Sequence, residues 1–450
     1  MNPLFRKIDK YLEDYYEKSS NALMVTGARQ TGKTYSIREF GKNFENFIEI
    51  NFIESPDAIE IFRDYGNASD IIFRITAFVT KPIVAGKTLI FFDEVQACPE
   101  IVTAIKFLVA EGSCRYILSG SLLGVELNDI RSQPVGYMGI TEMYPMDFEE
   151  FVLNLGVQKN IIEKLEHSWN SRIAVDPVVH TKMIELLRLY LVVGGMPAAV
   201  VSYISTNNLQ SVLTTQRDII GLYKKDITQY ATKNKLKIKE IFDLIPSELD
   251  AKNKRFILKK LNEHAKYSRY EDSILWLTDA GVALPVYNVS EPKEPLRLSE
   301  SRNLFKLFSS DVGLLCAQYG DGIQLKIIFG EKSINFGAVF ENFAAQELKA
   351  HGFDLYYYNN KKKGELDFVV SYHGEILPIE IKSGKDFKEH RALSSIMSGG
   401  EYSIKNAVVF SGENISEESG ILYAPIYMLM FLKREDPILL TYKIDLSALK

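Results

Sequence analysis

One octapeptide, Gly27-Ala28-Arg29-Gln30-Thr31-Gly32-Lys33-Thr34, constrains this 450-residue chain more than any other feature. It fits G-x-x-x-x-G-K-[ST], and its flanks supply the context the pattern needs. A short apolar run, Ala22-Leu23-Met24-Val25, precedes it, and residues Tyr35 to Phe40 read as the start of a helix. Backbone N–H groups of such a loop point inward, and Gly27 and Gly32 carry no Cβ to block a phosphate. Lys33 can reach β and γ oxygens, Thr34 can ligate magnesium, and the helix N-terminus adds partial positive charge. The expected ligands are ATP and Mg2+.

Phosphoryl transfer also needs carboxylates on a neighbouring strand. Leu89-Ile90-Phe91-Phe92-Asp93-Glu94 is an apolar run ending in two acids, the Walker B arrangement. Asp93 would share the magnesium shell with Thr34, and Glu94 would orient and polarise the attacking water. A third strand, Arg115-Tyr116-Ile117-Leu118, runs into Ser119-Gly120-Ser121. Ser119 and Ser121 are candidate γ-phosphate sensors, although Ser-Gly-Ser is also ordinary turn composition.

At 450 residues, 46% of them hydrophobic, the chain has material for two to four domains. No segment approaches the unbroken apolar length of a membrane span, and the first residues lack a signal-peptide core, so a cytoplasmic protein is expected. Cys98, Cys114 and Cys316 have no paired spacing and read as buried thiols. The net charge of -5 argues against indiscriminate coating of nucleic acid, yet it hides a local basic stretch. Between Lys233 and Tyr270 stand eleven basic residues against five acidic ones.

That stretch reads as three short helices, Ile238 to Ile245, Phe256 to His264 and Tyr270 to Ala280, with a break near Pro246-Ser247 and a stop at Gly281. A strand from Val282 to Val289 follows, so a winged-helix-like module is expected, with Lys252, Lys254 and Arg255 as candidate DNA contacts. A lysine-rich solvated face on a protein-docking module is the competing reading.

The C-terminal third carries a second constellation. A helix from Val339 to Leu348 includes Glu341, and strands then present Asp367 in Glu365-Leu366-Asp367 and Glu380 with Lys382 in Ile379-Glu380-Ile381-Lys382. Alternation puts Glu380 and Lys382 on one face. Two carboxylates can bind magnesium while a lysine activates water for phosphodiester attack, and Glu341 could complete such a nuclease site. Alternating charges also mark the wet face of a half-exposed sheet, so that reading stays open.

Several segments together resemble a prokaryotic family of predicted AAA+ ATPases. They are the phosphate loop, Phe92-Asp93-Glu94-Val95-Gln96, Gly120-Ser121-Leu122-Leu123-Gly124, Tyr144-Pro145-Met146-Asp147-Phe148-Glu149-Glu150-Phe151 and Gly194-Gly195-Met196-Pro197. Lys306-Leu307-Phe308, Asp311-Val312-Gly313-Leu314-Leu315 and the C-terminal acid strands extend the likeness over nearly the whole chain. It implies a P-loop ATPase domain followed by an uncharacterised C-terminal region similar to the restriction-endonuclease-like fold, which would bring Glu341, Asp367, Glu380 and Lys382 together. One departure stands out. Relatives often place a basic residue after a glycine between Ser121 and Pro145, whereas Gly136 is followed here by Tyr137. Arg131 or another cation would have to serve in its place. Arg29 also matches the family, and a loop-holding ion pair remains open for it.

The expected fold is α/β: a P-loop AAA+ parallel-sheet core (1–146), a helical lid (147–232), the winged-helix-like module (233–290), a connecting segment (291–333) and a restriction-endonuclease-like α/β domain (334–450). The expected function is that of an ATP-binding, Mg2+-dependent ATPase switch, with DNA or a protein as candidate partner and no membrane. The alternatives are an ATP-regulated metal-dependent nuclease and a non-enzymatic scaffold whose docking follows the ATP state.

Overall fold

The structure is a computed structural model describing residues 3–121, 136–231, 234–251, 254–261, 267–331, 336–384, 386–402, 404–434 and 444. Leu122, Leu123, Gly124, Arg131 and Lys252, and the expected domain edges at Thr232, Lys233 and residue 334, lie outside the described residues.

The N-terminal third runs α1 (Lys7–Lys18), β1 (Ala22–Thr26), α2 (Lys33–Gly41), β2 (Asn46–Asn51), α3 (Ala68–Val79), β3 (Thr88–Asp93), α4 (Glu100–Glu111), β4 (Arg115–Ser119) and β5 (Met138–Glu142). The strands form one sheet in the order β2-β3-β4-β1-β5, and every pairing is parallel. Helical crossovers cover both faces of a parallel sheet, which is why β3 is buried at all six positions and reads as an unbroken apolar run. Separate cores fill the two faces, one around Phe52, Phe62, Phe92 and Tyr116, the other around Leu12, Leu23, Ile37 and Phe91. β4 lies between β1 and β3, so the loop after β1 and the acids ending β3 face each other across one strand, roughly 10 Å of sheet. β1 has β4 and β5 as neighbours rather than β2, which opens a crevice at the carboxyl ends of the strands.

A helical region follows: α5 (Phe148–Asn154), α6 (Lys159–Ser171), α7 (Pro177–Val193), α8 (Pro197–Thr206), α9 (Leu209–Tyr230), α10 (Lys235–Asp250) and α11 (Glu271–Asp279). Its starts are written locally. Asp147 and Glu150 close a reciprocal capping box on α5, Asp176 caps α7 ahead of Pro177, and Asn208 caps α9. Among the described residues no single helix is long and apolar enough to cross a membrane.

The remainder forms an eight-stranded mixed sheet in the order β12-β13-β11-β10-β9-β8-β6-β7. Its members are β6 (Ala283–Val289), β7 (Glu300–Ser309), β8 (Tyr356–Asn360), β9 (Gly364–Tyr372), β10 (Glu375–Ile381), β11 (Ala407–Ser411), β12 (Ser416–Glu418) and β13 (Ile421–Pro425). α12 (Val312–Ala317), α13 (Ile323–Phe329), α14 (Phe336–Ala350) and α15 (Arg391–Ser398) complete it.

Four expectations change here. The helix expected to end before Pro246 continues to Asp250 as α10, because Ile238, Ile241, Phe242, Ile245 and Leu249 all bury on one face and outweigh the hydrogen bond that proline removes. Only a 3-10 turn, Leu258–Lys260, is described where the helix Phe256 to His264 was expected. The strand read as a wing is no wing. β6 pairs antiparallel with β7 and parallel with β8, so it belongs to the C-terminal sheet. Finally, one continuous core runs from Met146 through α7, α9, α10 and β6 to Leu432, so the boundaries expected at 232, 290 and 333 do not separate independent cores.

Candidate functional site

The crevice above β1 is a cleft of about 850 Å³ lined by Gly32, Lys33, Thr34, Asp93, Glu94 and Ser121 on one side. Leu4 and Arg6 from the N-terminus, Met146, and Pro197, Ala198, Val201 and Leu222 from α8 and α9 line the other. Gly27 is required by space and Gly32 by its backbone conformation. A Cβ on Gly27 would lie 2.2 Å from the Met143 carbonyl oxygen, and Gly32 sits at φ 95° ahead of α2. Lys33 is 8% exposed, and its ammonium donates to the Gly27 and Ala28 carbonyls at 2.9 and 2.7 Å. Burial pushes its pKa down to about 8, against the pull of Glu94 and Asp93.

Thr34 donates to Asp93 Oδ2 at 3.1 Å, and Asn51 Nδ2 reaches the same oxygen at 3.3 Å. A hydroxyl and a carboxylate at that separation fit the two protein ligands of a magnesium shell. Burial raises the Asp93 pKa, partly offset by the Ser119 hydrogen bond. The two serines divide. Ser119 is fully buried and donates to Asp93 Oδ1 at 2.5 Å, so it orients the carboxylate, whereas Ser121 lines the cleft. Glu94 takes up φ 55° and accepts from Gln96 Nε2 at 2.5 Å, which fixes its carboxylate on the cleft wall. Asn51 and Arg6 carry no motif of their own, Gln96 stands in the segment that follows the Walker B acids, and none of the three was among the expected site residues.

Both arginines of the cleft are placed by side-chain bonds. Arg6 donates to Glu150 at 3.1 Å and to the carbonyls of Thr31 and Tyr144 at 2.8 Å each, fastening the N-terminus to the phosphate loop and to α5. Arg29 donates to Ser121 Oγ at 3.1 Å and to Asp226 on α9 at 2.7 Å. Its carbonyl accepts from Tyr223 of the same helix at 3.1 Å. Behind the loop, Gly281 at φ 71° comes so close that a Cβ there would meet the Ala28 nitrogen at 2.8 Å.

The cleft is also bonded to the C-terminal sheet. Met146 donates its N–H to the Gly195 carbonyl at 2.7 Å, and its carbonyl accepts from Tyr190 Oη at 2.5 Å. Gly195 N–H donates to Asp311 Oδ2 at 2.6 Å, while Gln346 on α14 donates to Tyr190 at 2.7 Å and accepts from Val312 N–H at 2.8 Å. Asp311 is fully buried, and burial pushes its pKa up to about 6 despite its backbone donors. A second tie joins the Phe148 N–H to Glu347 at 2.8 Å and His351 to Asp147 at 3.4 Å.

The C-terminal constellation does assemble, with a partner the motif reading missed. Lys306 on β7, with no exposed surface, extends its ammonium among Glu365 at 2.8 Å, Glu341 at 3.5 Å and Asp367 at 3.9 Å. Burial alone would lower its pKa, but Glu341, Asp367 and Glu365 outweigh that and hold it charged. Lys254 pairs with Glu341, Arg255 lies 3.7 Å from Glu365, and Lys382 lies 2.9 Å from Glu380. Asp367 accepts the Ile381 N–H at 2.8 Å, and burial together with Glu341 and Glu380 drives its pKa well up. Two of the three expected DNA contacts, Lys254 and Arg255, therefore face these acids.

This cluster does not fit a metal. Its carboxylates surround an ammonium instead of a shared vacancy, and the four acids are matched by four basic side chains. Within it, Glu380 Oε2 and Arg255 Nε are buried without a hydrogen-bond partner. Among the described residues no group of three or more His, Cys, Asp or Glu side chains has a metal-holding arrangement.

Comparison with known proteins divides the chain in three. Residues 19–152 match the model of an AAA domain, residues 184–324 a domain of unknown function (DUF8612) and residues 336–429 another (DUF4143). No curated protein matches the sequence. Among solved structures, the Walker-type ATPase PABY2304 of Pyrococcus abyssi aligns at 14% identity and TM-score 0.42, over 71% of this chain and 96% of its own. The Aeropyrum pernix ORC1 protein in complex with DNA aligns at 13% and 0.25, over 72% and 92%. The STAND protein PH0952 of Pyrococcus horikoshii, with its tetratricopeptide-repeat sensor, aligns at 10% and 0.25, over 78% and 48%. All three scores are low.

Proposed function

We propose that this chain, which is an AAA-domain protein of predicted ATPase type with an uncharacterised C-terminal region, hydrolyses ATP and works as a nucleotide-controlled switch. The observation that carries the reading is the make-up of the cleft: phosphate loop and Walker B acids on one wall, α8 and α9 on the other. A ligand filling it must touch both walls, so triphosphate and diphosphate states would differ in how they hold the helical wall against the sheet.

The loop amides and Lys33 bind the phosphates. Thr34 and Asp93 would hold Mg2+, which would supply neutralisation of the phosphate charge. Ser119 and Asn51 keep the Asp93 carboxylate in place, and Glu94, held by Gln96, takes a proton from the attacking water. Leu4, Met146, Pro197 and Val201 offer an apolar surface suited to an adenine ring. The bonded ties through Gly195 and Phe148 carry displacement of the helical wall to α12 and α14. The output is movement of the C-terminal half. A DNA partner would have to compete with Glu341 and Glu365 for Lys254 and Arg255, so the structure favours a switch over a nuclease.

Equilibrium binding and steady-state turnover of Mg2+-ATP test this. Lys33→Ala should abolish tight binding, and Glu94→Gln should retain binding while stopping turnover. Undiminished ATP affinity in Lys33→Ala would remove the loop from the site and end the proposal.

A further inference from the structure

We infer that a single proton, kept on Glu347 of α14 and facing His351 and the N-cap of α5, clasps the C-terminal half to the helical region, and that the clasp weakens as rising pH draws it off.

The geometry counts the protons. His351 Nδ1 lies 3.0 Å from the Leu432 carbonyl oxygen, which can only accept, so Nδ1 carries a hydrogen. The other ring nitrogen, Nε2, lies 3.4 Å from Asp147 Oδ2 and 3.8 Å from Glu347 Oε2. Left bare, its lone pair would face two carboxylate oxygens inside the protein. Glu347 has no exposed surface. Its Oε1 accepts the Phe148 N–H at 2.8 Å, while its Oε2 is buried without a hydrogen-bond partner among the described residues. An ionised oxygen in that position is costly, and a carboxyl that carries its own hydrogen is less so. One further proton is therefore required, on Oε2 or on Nε2.

The surrounding charges decide its place. Lys7 of α1 pairs with Asp147 and lies 2.6 Å from Glu149, which Lys433 also reaches at 2.8 Å. Glu150 takes Arg6 Nε at 3.1 Å and the Lys7 N–H at 2.6 Å. Arg434 donates to the Gly352 carbonyl at 3.2 Å. On the α7 side, Tyr190 donates to the Met146 carbonyl, and Asp311 is turned to the N–H groups of Gly195 and Leu314. None of these cations is bonded to Glu347. A proton on Glu347 leaves Lys7 with Asp147 as the ion pair of the junction, whereas a proton on His351 would bury a second pair of charges. Burial and the Asp147 charge accordingly push the Glu347 pKa well up, against the Phe148 N–H. Burial lowers that of His351 against the pull of Asp147. Burial would raise Asp147 as well, but Lys7 and His351 outweigh it and keep that carboxylate charged.

The sign with pH follows. A carboxyl whose folded-state pKa is raised contributes in full below its ordinary value of 4.5, and the contribution is lost as pH rises through the raised one. His351 has the opposite sign: its contribution is present above 6.5 and is lost as pH falls through its lowered value. Once Glu347 ionises, two carboxylates face a bare Nε2, and α14 loses its hold on the first turn of α5. The cleft, whose Met146 wall adjoins Asp147, then keeps the tie through Gly195 and Asp311 but not the tie through Phe148.

The experiment compares the full chain with Glu347→Gln, which keeps an acceptor for the Phe148 N–H and offers Nε2 a donor that does not titrate. Hydrogen exchange at the Phe148 amide and the infrared C=O stretch of protonated carboxyls are followed from pH 5 to pH 9. At pH 7 the parent-minus-variant spectrum should contain a protonated-carboxyl band. The ratio of parent to variant protection at Phe148 should fall by up to tenfold per pH unit while that band persists, and level off where it disappears. No such band at pH 7, or a protection ratio flat across the range, overturns the inference. Should Glu347→Gln fail to fold, the parent answers by itself between pH 7 and pH 9: Phe148 protection that falls there supports the clasp, and protection that stays flat overturns it.

Discussion

Lys306→Met is expected to destabilise the C-terminal half by about 3 kcal/mol, and the size follows from what remains around the lost ammonium. Removing one member of a buried ion pair typically costs about 3–5 kcal/mol, because its partner is left charged and desolvated. Here Glu341 keeps Lys254, and Glu365 keeps Arg255 at 3.7 Å. Asp367 keeps the Ile381 N–H and already has a raised pKa, so it can shed its charge by protonation. These remnants place the loss at the lower end. For a folding unit of this size each kcal/mol moves the midpoint roughly 2–4 °C, giving a fall of about 6–12 °C. The sign with pH is fixed too. Without Lys306 the acids' folded-state pKa values rise above their unfolded ones, so stability is kept at low pH and lost as pH rises through the folded values. Calorimetry of parent and variant between pH 5 and 7 reads both effects, and the deficit should shrink towards pH 5. A loss under about 1 kcal/mol, or stabilisation of the parent's C-terminal transition by millimolar Mg2+ or Mn2+, would refute the account of Lys306 as the resident cation.

Lys33, pushed down to about 8 by burial, must be charged to meet phosphate. ATP affinity should therefore hold below pH 8 and fall up to tenfold per unit above it, with proton uptake on binding measurable by calorimetry in buffers of different ionisation enthalpy. A pH-flat affinity up to pH 9.5 would contradict this. Gly281→Val should weaken ATP binding and cost about 1–3 kcal/mol, since its Cβ would strike the Ala28 nitrogen at an unfavourable φ; unchanged affinity and melting would refute the close approach. Asp311→Ala removes the acceptor of the buried Gly195 and Leu314 N–H groups, and a loss of about 1–3 kcal/mol should appear in denaturant titration. Wild-type stability there would mean that Asp311 does not tie the cleft to the C-terminal half.

What the sequence disclosed was local. The phosphate loop is legible because strand, glycines, Lys33 and Thr34 stand in one short segment, and Asp93 and Glu94 because β3 is buried throughout and ends in them. The capping box at Asp147 and Glu150 is equally local. The features that escaped are set by partners far along the chain. Arg6 meets Glu150 across 144 residues. Lys306 looks like any charged residue on a strand until α14 and β9 bring three acids to it. The apolar segment from Ala283 to Val289 does not reveal whether it bonds a wing or a distant sheet, because β8, its parallel neighbour, lies beyond β7 and three helices. A cluster of lysines read as a DNA surface for the same reason, since Glu341 and Glu365 lie about a hundred residues further on.

Hydrogen–deuterium exchange on the full chain tests the central claim most directly, comparing Glu94→Gln saturated with Mg2+-ATP against the parent saturated with Mg2+-ADP. A nucleotide-controlled switch should change protection in Pro197–Thr206 and Leu209–Tyr230, and onward in Val312–Ala317 and Phe336–Ala350. Bound nucleotide in both samples with protection differing only within residues 22–146 would contradict it, leaving an ATP site with no line to the rest of the chain.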